Sequence, residues 1–135
     1  MKAQGVTEEM EQRELADYIS LQYPNVVFHS DFGSGTRLSM GQAKRQKALN
    51  AGRKGWPDMF IAEPVGKYHG LFIELKRSGT SLHKLNGDWA NPHYQDQAEV
   101  LEMLTKKGYR AEFAVGFGGA KELIDEYLRG KNGKS

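Results

Sequence analysis

Over residues 7–22, polar and apolar positions alternate at helical spacing. Met10, Leu15, Tyr18 and Ile19 form an apolar stripe, Thr7 is placed to cap the start, and Glu8 and Glu9 suit the positive helix end. Pro24 stops the pattern. Residues 26–29 are a short β-branched and aromatic run, and residues 31–35, with Gly33 and Gly35, read as a loop. Residues 42–50 favour helix but carry little apolar surface, which predicts a surface helix ended by Gly52. Two apolar runs of strand length follow, residues 59–62 and 71–75, joined through Pro64, Gly66 and Gly70 as a hairpin.

Residues 77–89 are polar and aperiodic, long enough for a functional loop. Asn91 and Pro92 then form an N-cap and first-turn pair for a helix reaching about Lys107 and closed by Gly108. Residues 111–115 read as a strand, and Gly116, Gly118 and Gly119 as a turn. Ala120, Leu123, Ile124, Tyr127 and Leu128 then mark the clearest amphipathic helix. The order is helix, strand, surface helix, strand, strand, helix, strand, helix: an α/β fold with a small mixed central β-sheet flanked by helices. A length of 135 residues suits a single domain over residues 1–129, and the glycine- and lysine-rich residues 130–135 read as a flexible tail.

The absence of cysteine removes disulfides, zinc-thiolate sites, iron–sulfur clusters and thiol catalysis. No window approaches the roughly 18 apolar residues of a membrane span, and no secretory leader is visible, so the expected location is cytoplasmic. Net charge is only +2, so contact with a polyanion requires a local basic patch. There is no Walker A motif, no Gly-x-Ser-x-Gly elbow, and no metal-binding spacing among His29, His69, His83 and His93.

The sharpest chemistry lies in Pro57-Asp58 at the head of one strand and Glu74-Leu75-Lys76 at the tail of the next. Strand alternation puts Glu74 and Lys76 on one face and Leu75 on the other. If the two strands pair, Asp58 approaches Glu74, and two carboxylates beside one ammonium suit a hard divalent cation such as Mg²⁺. Such an ion activates water and neutralises charge on a phosphate, while the lysine orients the attacking water or stabilises the transition state. Glu-x-Lys alone arises by chance in roughly half of chains this long. Here it occurs once, 16 residues after a single Pro-Asp aspartate, both at the ends of strand candidates.

Glu14, four residues from both Met10 and Tyr18, borders the apolar stripe and adds a third carboxylate, with Glu11 the better candidate for a plain surface or capping glutamate. Gln95, beside Tyr94 in the first turn after Pro92, could reach a metal-bound water or a phosphate.

Between Phe32 and Pro57 stand Arg37, Lys44, Arg45, Lys47, Arg53 and Lys54 with no acidic residue, a strip fit for a phosphate backbone. Arg77, His83 and Lys84 occupy a second stretch free of acidic residues, 75–87, ahead of Trp89, whose indole could stack on a base.

Glu14, Gly55-Trp56-Pro57-Asp58, Glu74-Leu75-Lys76 and Gln95, in that order, resemble the PD-(D/E)xK nuclease superfamily, and specifically its virus-type replication-repair nuclease (VRR-NUC) family. The resemblance spans about residues 8–115. It implies a restriction-endonuclease-like fold, with Asp58, Glu74, Glu14 and the Leu75 carbonyl as metal ligands, Lys76 as the catalytic lysine and Gln95 in support. It further implies a Mg²⁺- or Mn²⁺-dependent DNA endonuclease, acting as a homodimer on branched DNA such as four-way (Holliday) junctions, from a bacterium or phage. A restriction-type or single-strand nuclease, and a non-catalytic nucleic-acid-binding module of the same fold, are the alternatives.

Overall fold

The computed structural model describes residues 5–31, 39–50, 52 and 54–130. Gly33, Gly35, Arg37, Arg53 and the tail residues 131–135 lie outside that set.

Eight elements follow in the expected order: α1 (Glu8–Gln22), β1 (Phe28–Ser30), α2 (Met40–Leu49), β2 (Met59–Ile61), β3 (Leu71–Lys76), α3 (Pro92–Lys106), β4 (Arg110–Val115) and α4 (Gly116–Arg129). Local chemistry sets their ends. The Thr7 hydroxyl accepts the Met10 N–H at 3.1 Å to open α1, and the Asn91 side chain accepts the His93 N–H at 2.9 Å to open α3, with Pro92 in its first turn. Two expectations shift. The first strand starts at Phe28 rather than at residue 26, and α4 begins at Gly116 itself, taking in Gly118 and Gly119 that read as a turn.

The four strands form one sheet in the order β1-β2-β3-β4. β1 with β2 and β2 with β3 are antiparallel, whereas β3 and β4 are parallel and joined through α3, as a parallel pair requires. The sheet is therefore mixed, as the spacing of elements predicts.

Alternation along the strands then separates two faces. Met59, Ile61, Leu71, Ile73, Leu75 and Ala114 point to one side and pack with Leu15 and Ile19 of α1 and Ala120, Leu123, Ile124 and Tyr127 of α4. Truncating a fully buried member such as Leu15 to Ala would cost about 2–5 kcal/mol. Polar bonds hold the two helices in register: the Tyr18 and Tyr23 hydroxyls both donate to Asp125 Oδ1 at 2.6 Å.

The opposite face carries an aromatic layer, in which Phe60 stacks on Phe72 at 4.4 Å and Tyr109 packs edge-on against both. Beside this layer, on the same face, β3 presents Glu74 and Lys76, with α3 packed alongside on β4.

Candidate active site

The antiparallel register sets Met59 opposite Ile73, so Asp58, one residue earlier, meets the Glu74 row. The Leu75 N–H donates to Asp58 Oδ2 at 2.9 Å, and the Asp31 N–H donates to the Asp58 carbonyl at 2.7 Å. Asp58 is thus fixed both by its side chain and by its backbone.

Asp58, Glu74 and Lys76 are 5%, 1% and 8% exposed. Lys76 Nζ lies 3.3 Å from Glu74 Oε2 and 4.7 Å from the centre of the Tyr94 ring, so an ion pair and a ring face hold the ammonium together. Two carboxylates against one ammonium leave excess negative charge in a dry place, which costs several kcal/mol per uncompensated ion. Burial, and then the Asp58 charge, push the Glu74 carboxyl far above the ordinary glutamate range despite Lys76. Asp58 is also raised, first by burial and further by the negative field of Glu8, against the opposing bonds from Glu74 and the Leu75 amide.

The amide beside this cluster is Gln97, whose Nε2 donates to Glu74 Oε2 at 3.2 Å. Among the described residues, Glu74 Oε1 and Gln97 Oε1 are buried with no hydrogen-bond partner. Unpartnered oxygens in a buried, acid-rich position fit a cation, which takes oxygen donors and cancels the charge. Among the described residues, no group of three or more His, Cys, Asp or Glu side chains is placed to hold a metal. A two-carboxylate set still matches Mg²⁺, which keeps several of its waters and takes further oxygens from a phosphate.

Gly55 explains how the Pro-Asp segment docks. Its φ is +82°, and a Cβ there would stand 3.0 Å from the Gln97 nitrogen and 3.1 Å from the Asp96 carbonyl carbon. Only glycine lets this chain lie against the first turns of α3, which brings Asp58 and Gln97 to one place.

Two residues expected at the site stand at the surface of their helices. Glu14 is exposed on α1, and Gln95 is exposed on α3. Helical phase explains both. The inward face of α1 runs through Glu8, Glu11, Leu15 and Ile19 in three- and four-residue steps, while Met10, used to define the stripe, is 57% exposed. Gln97, three residues after Tyr94, shares its face of α3 as Gln95 does not.

Glu11, expected at the surface, is buried. It accepts the Ser78 N–H at 2.8 Å, the Ser78 hydroxyl at 2.5 Å and the Phe117 N–H at 2.8 Å. Burial pushes its carboxyl up, but these bonds outweigh that and hold it below the usual glutamate value. Glu11 thereby ties α1 to the segment just after Lys76 and to the start of α4. Gly116 makes this possible: its φ is +75°, and a Cβ there would come within 2.5 Å of the Ser78 hydroxyl.

Of the basic residues, Lys44, Arg45, Lys47 and Lys54 are exposed, as are Arg77 and Lys84. Arg37 and Arg53 lie outside the described residues. Every described side chain of α2 is exposed, and among the described residues the helix makes no substantial packing contact with another element. The Leu75 side chain is in the core on the far face of the sheet, as alternation requires. Trp89 is half-buried, stacked on His83 at 4.2 Å and packed on Phe113, so its indole is engaged within the fold.

No helix among the described residues is long and apolar enough to cross a membrane. No family model matches the chain, and no curated protein matches it. A search of solved structures finds a chain titled "VRR_NUC domain protein", which is 28% identical, superposes with a TM-score of 0.70, and is matched over 94% of this chain and 92% of its own length.

Proposed function

We propose that this chain, similar in fold and sequence to a VRR-NUC domain protein, is a nuclease of that family: a divalent-metal-dependent endonuclease that hydrolyses phosphodiester bonds in DNA, preferring branched DNA such as four-way junctions. The observation that carries the reading is the buried cluster of Asp58, Glu74 and Lys76 with the unpartnered oxygens of Glu74 and Gln97. A stable fold has no need of such a cluster, since well-packed apolar residues would be cheaper there.

Asp58 and Glu74 would hold Mg²⁺ or Mn²⁺, with the Leu75 carbonyl and the Gln97 amide oxygen as further oxygen donors. Bound there, the ion would lower the pKa of a water and offset charge developing on the phosphate. Lys76, clamped between Glu74 and Tyr94, presents a pre-oriented ammonium to a phosphate oxygen and requires little reorganisation during reaction. Glu8 sets the negative field on Asp58. The exposed cations of α2, with Lys54, Arg77 and Lys84, would neutralise backbone phosphates without reading sequence.

The preference for junctions, and the pairing of two chains to make two cuts, rest on the likeness to stand-alone members of the family. A two-fold pair would match the symmetry of a four-way junction.

The test is cleavage of labelled linear, flap and four-way DNA by the full chain with Mg²⁺, Mn²⁺ or EDTA. The expected result is cleavage with either metal, strongest on the four-way substrate, and none in EDTA. Cleavage that persists in EDTA would overturn the metal-dependent mechanism. Equal rates on all three shapes would return the protein to a shape-blind nuclease, and no cleavage of any DNA would leave a binding module.

A further inference from the structure

The loop between β3 and α3 is an ordered hairpin with one apolar residue at its apex. In residues 82–90 the Ala90 N–H donates to the Leu82 carbonyl at 2.8 Å, and the Lys84 N–H to the Asp88 carbonyl at 2.7 Å. The Gly87 N–H donates to the Lys84 carbonyl at 2.9 Å, and the Asp88 N–H to Asn86 Oδ1 at 3.0 Å. His83 and Trp89 face each other as a bridge pair and stack. Trp89 also packs on Phe113, which stands beside Glu74 in the β3–β4 register. The base of the hairpin is therefore pinned one strand from the acidic cluster, and the α3 turn leaving it carries Tyr94 and Gln97.

At the tip, Leu85 is 110% exposed, the most exposed of the large apolar side chains among the described residues, with the exposed cation Lys84 beside it. Single exposed apolar residues are ordinary on soluble proteins, and Leu21 of α1 is one. Leu85 differs in standing at the apex of a hydrogen-bonded turn whose base packs on Phe113, the neighbour of Glu74 in the sheet.

We propose that this hairpin is a wedge for branched DNA, in which Leu85 enters between unstacked bases at the branch point while Lys84 meets the adjoining phosphate. The inference rests on the nuclease reading above and gives it a physical source of shape selectivity. An apolar side chain enters a base step at the cost of unstacking it, a few kcal/mol in continuous duplex. At a branch point part of that stacking is already lost, so the same side chain gains contact at less expense. The rigid turn adds little ordering cost on binding.

The test uses the full chain in EDTA, so cleavage does not enter the readout, with 2-aminopurine at the branch point of a four-way junction. Binding is followed separately by anisotropy. At saturation the native chain should raise the 2-aminopurine signal severalfold, and Leu85→Ala should abolish that rise and weaken junction binding roughly tenfold. Leu85→Met should keep both, and Leu21→Ala, the same deletion at another exposed leucine, should change neither.

An equal rise with Leu85→Ala, no rise with saturated native chain, or no binding of the junction would each overturn the proposal. The nuclease reading fails separately, on absent cleavage with Mg²⁺. Active cleavage with a flat fluorescence signal would remove the wedge alone.

Discussion

The Asp58–Glu74–Lys76 cluster and helix α2 are both rich in charge, yet the fold treats them in opposite ways. The cluster lies within the described interior, with both carboxyls pushed toward protonation by burial, Glu74 further by the Asp58 charge and Asp58 further by that of Glu8. Helix α2 carries Lys44, Arg45 and Lys47 with every described side chain in water and, among the described residues, no substantial packing against another element. Burying like charges destabilises a protein, which makes such a cluster a candidate for chemistry. Solvated cations cost the fold almost nothing, so their arrangement is free to follow a partner's charge. On the proposed function, the contrast separates a part of the molecule that would act on phosphate from a part that would hold it.

Glu74→Gln tests the buried side most severely. Cleavage should fall by on the order of a hundredfold or more, measured as single-turnover rate with Mg²⁺. Stability should respond through pH. The native Glu74 carboxyl is raised above its ordinary value of 4.5, so the folded chain keeps that proton after the unfolded chain has lost it. Metal-free stability must then decline as pH rises from about 4.5 toward the raised value, and Glu74→Gln should flatten that decline in denaturant titrations. An identical pH slope in the two proteins would contradict the buried-charge account.

Neutralising Lys44, Arg45 and Lys47 to Gln tests the exposed side. The slope of log affinity for DNA against log salt should shrink by roughly 2 to 3, at about 0.9 for each phosphate that is no longer neutralised. The unfolding free energy should stay within about 0.5 kcal/mol, because all three side chains are exposed. A large loss of stability would mean that α2 belongs to the core and not to a ligand.

The smallest effects separate two glutamates on one helix. Glu11→Ala strands the Ser78 and Phe117 amides and should destabilise the chain by about 1–3 kcal/mol, whereas Glu14→Ala should change stability by less than about 0.5 kcal/mol. Because the native Glu11 carboxyl lies below its unfolded value, its contribution is present above about pH 4.5 and is lost as pH falls through the depressed value. Chemical denaturation at two pH values would show whether the difference between the variants closes in acid.

The element order was legible because each segment carries its own period and its own stops, and the eight elements follow it closely. The pairing of β2 with β3 was also legible from the short glycine-bearing turn between them. Glu14 and Gln95 stand at the surface, and Glu11 and Gln97 turn inward, a difference not legible in the sequence because a helix reveals its faces only relative to a reference residue. Met10 was a poor reference for α1, being exposed, whereas Leu15 and Ile19 would have pointed to Glu8 and Glu11. Tyr94 would likewise have pointed to Gln97. The indole of Trp89 read as available because its partners, His83 and Phe113, lie on a bridge and a strand that the local pattern does not reveal.

The sequence by itself determined the kind and order of the helices and strands, and that Glu74 and Lys76 share a face opposite Leu75, because both follow from backbone period. Only the tertiary structure decided which carboxylate of α1 bears on Asp58 and which is tied away. That choice depends on partners 67 and 106 residues along the chain at Glu11, and on how deeply Leu15 and Ile19 seat against the sheet. A charged side chain looks the same in sequence whether water or a distant amide receives it, and packing alone selects between them.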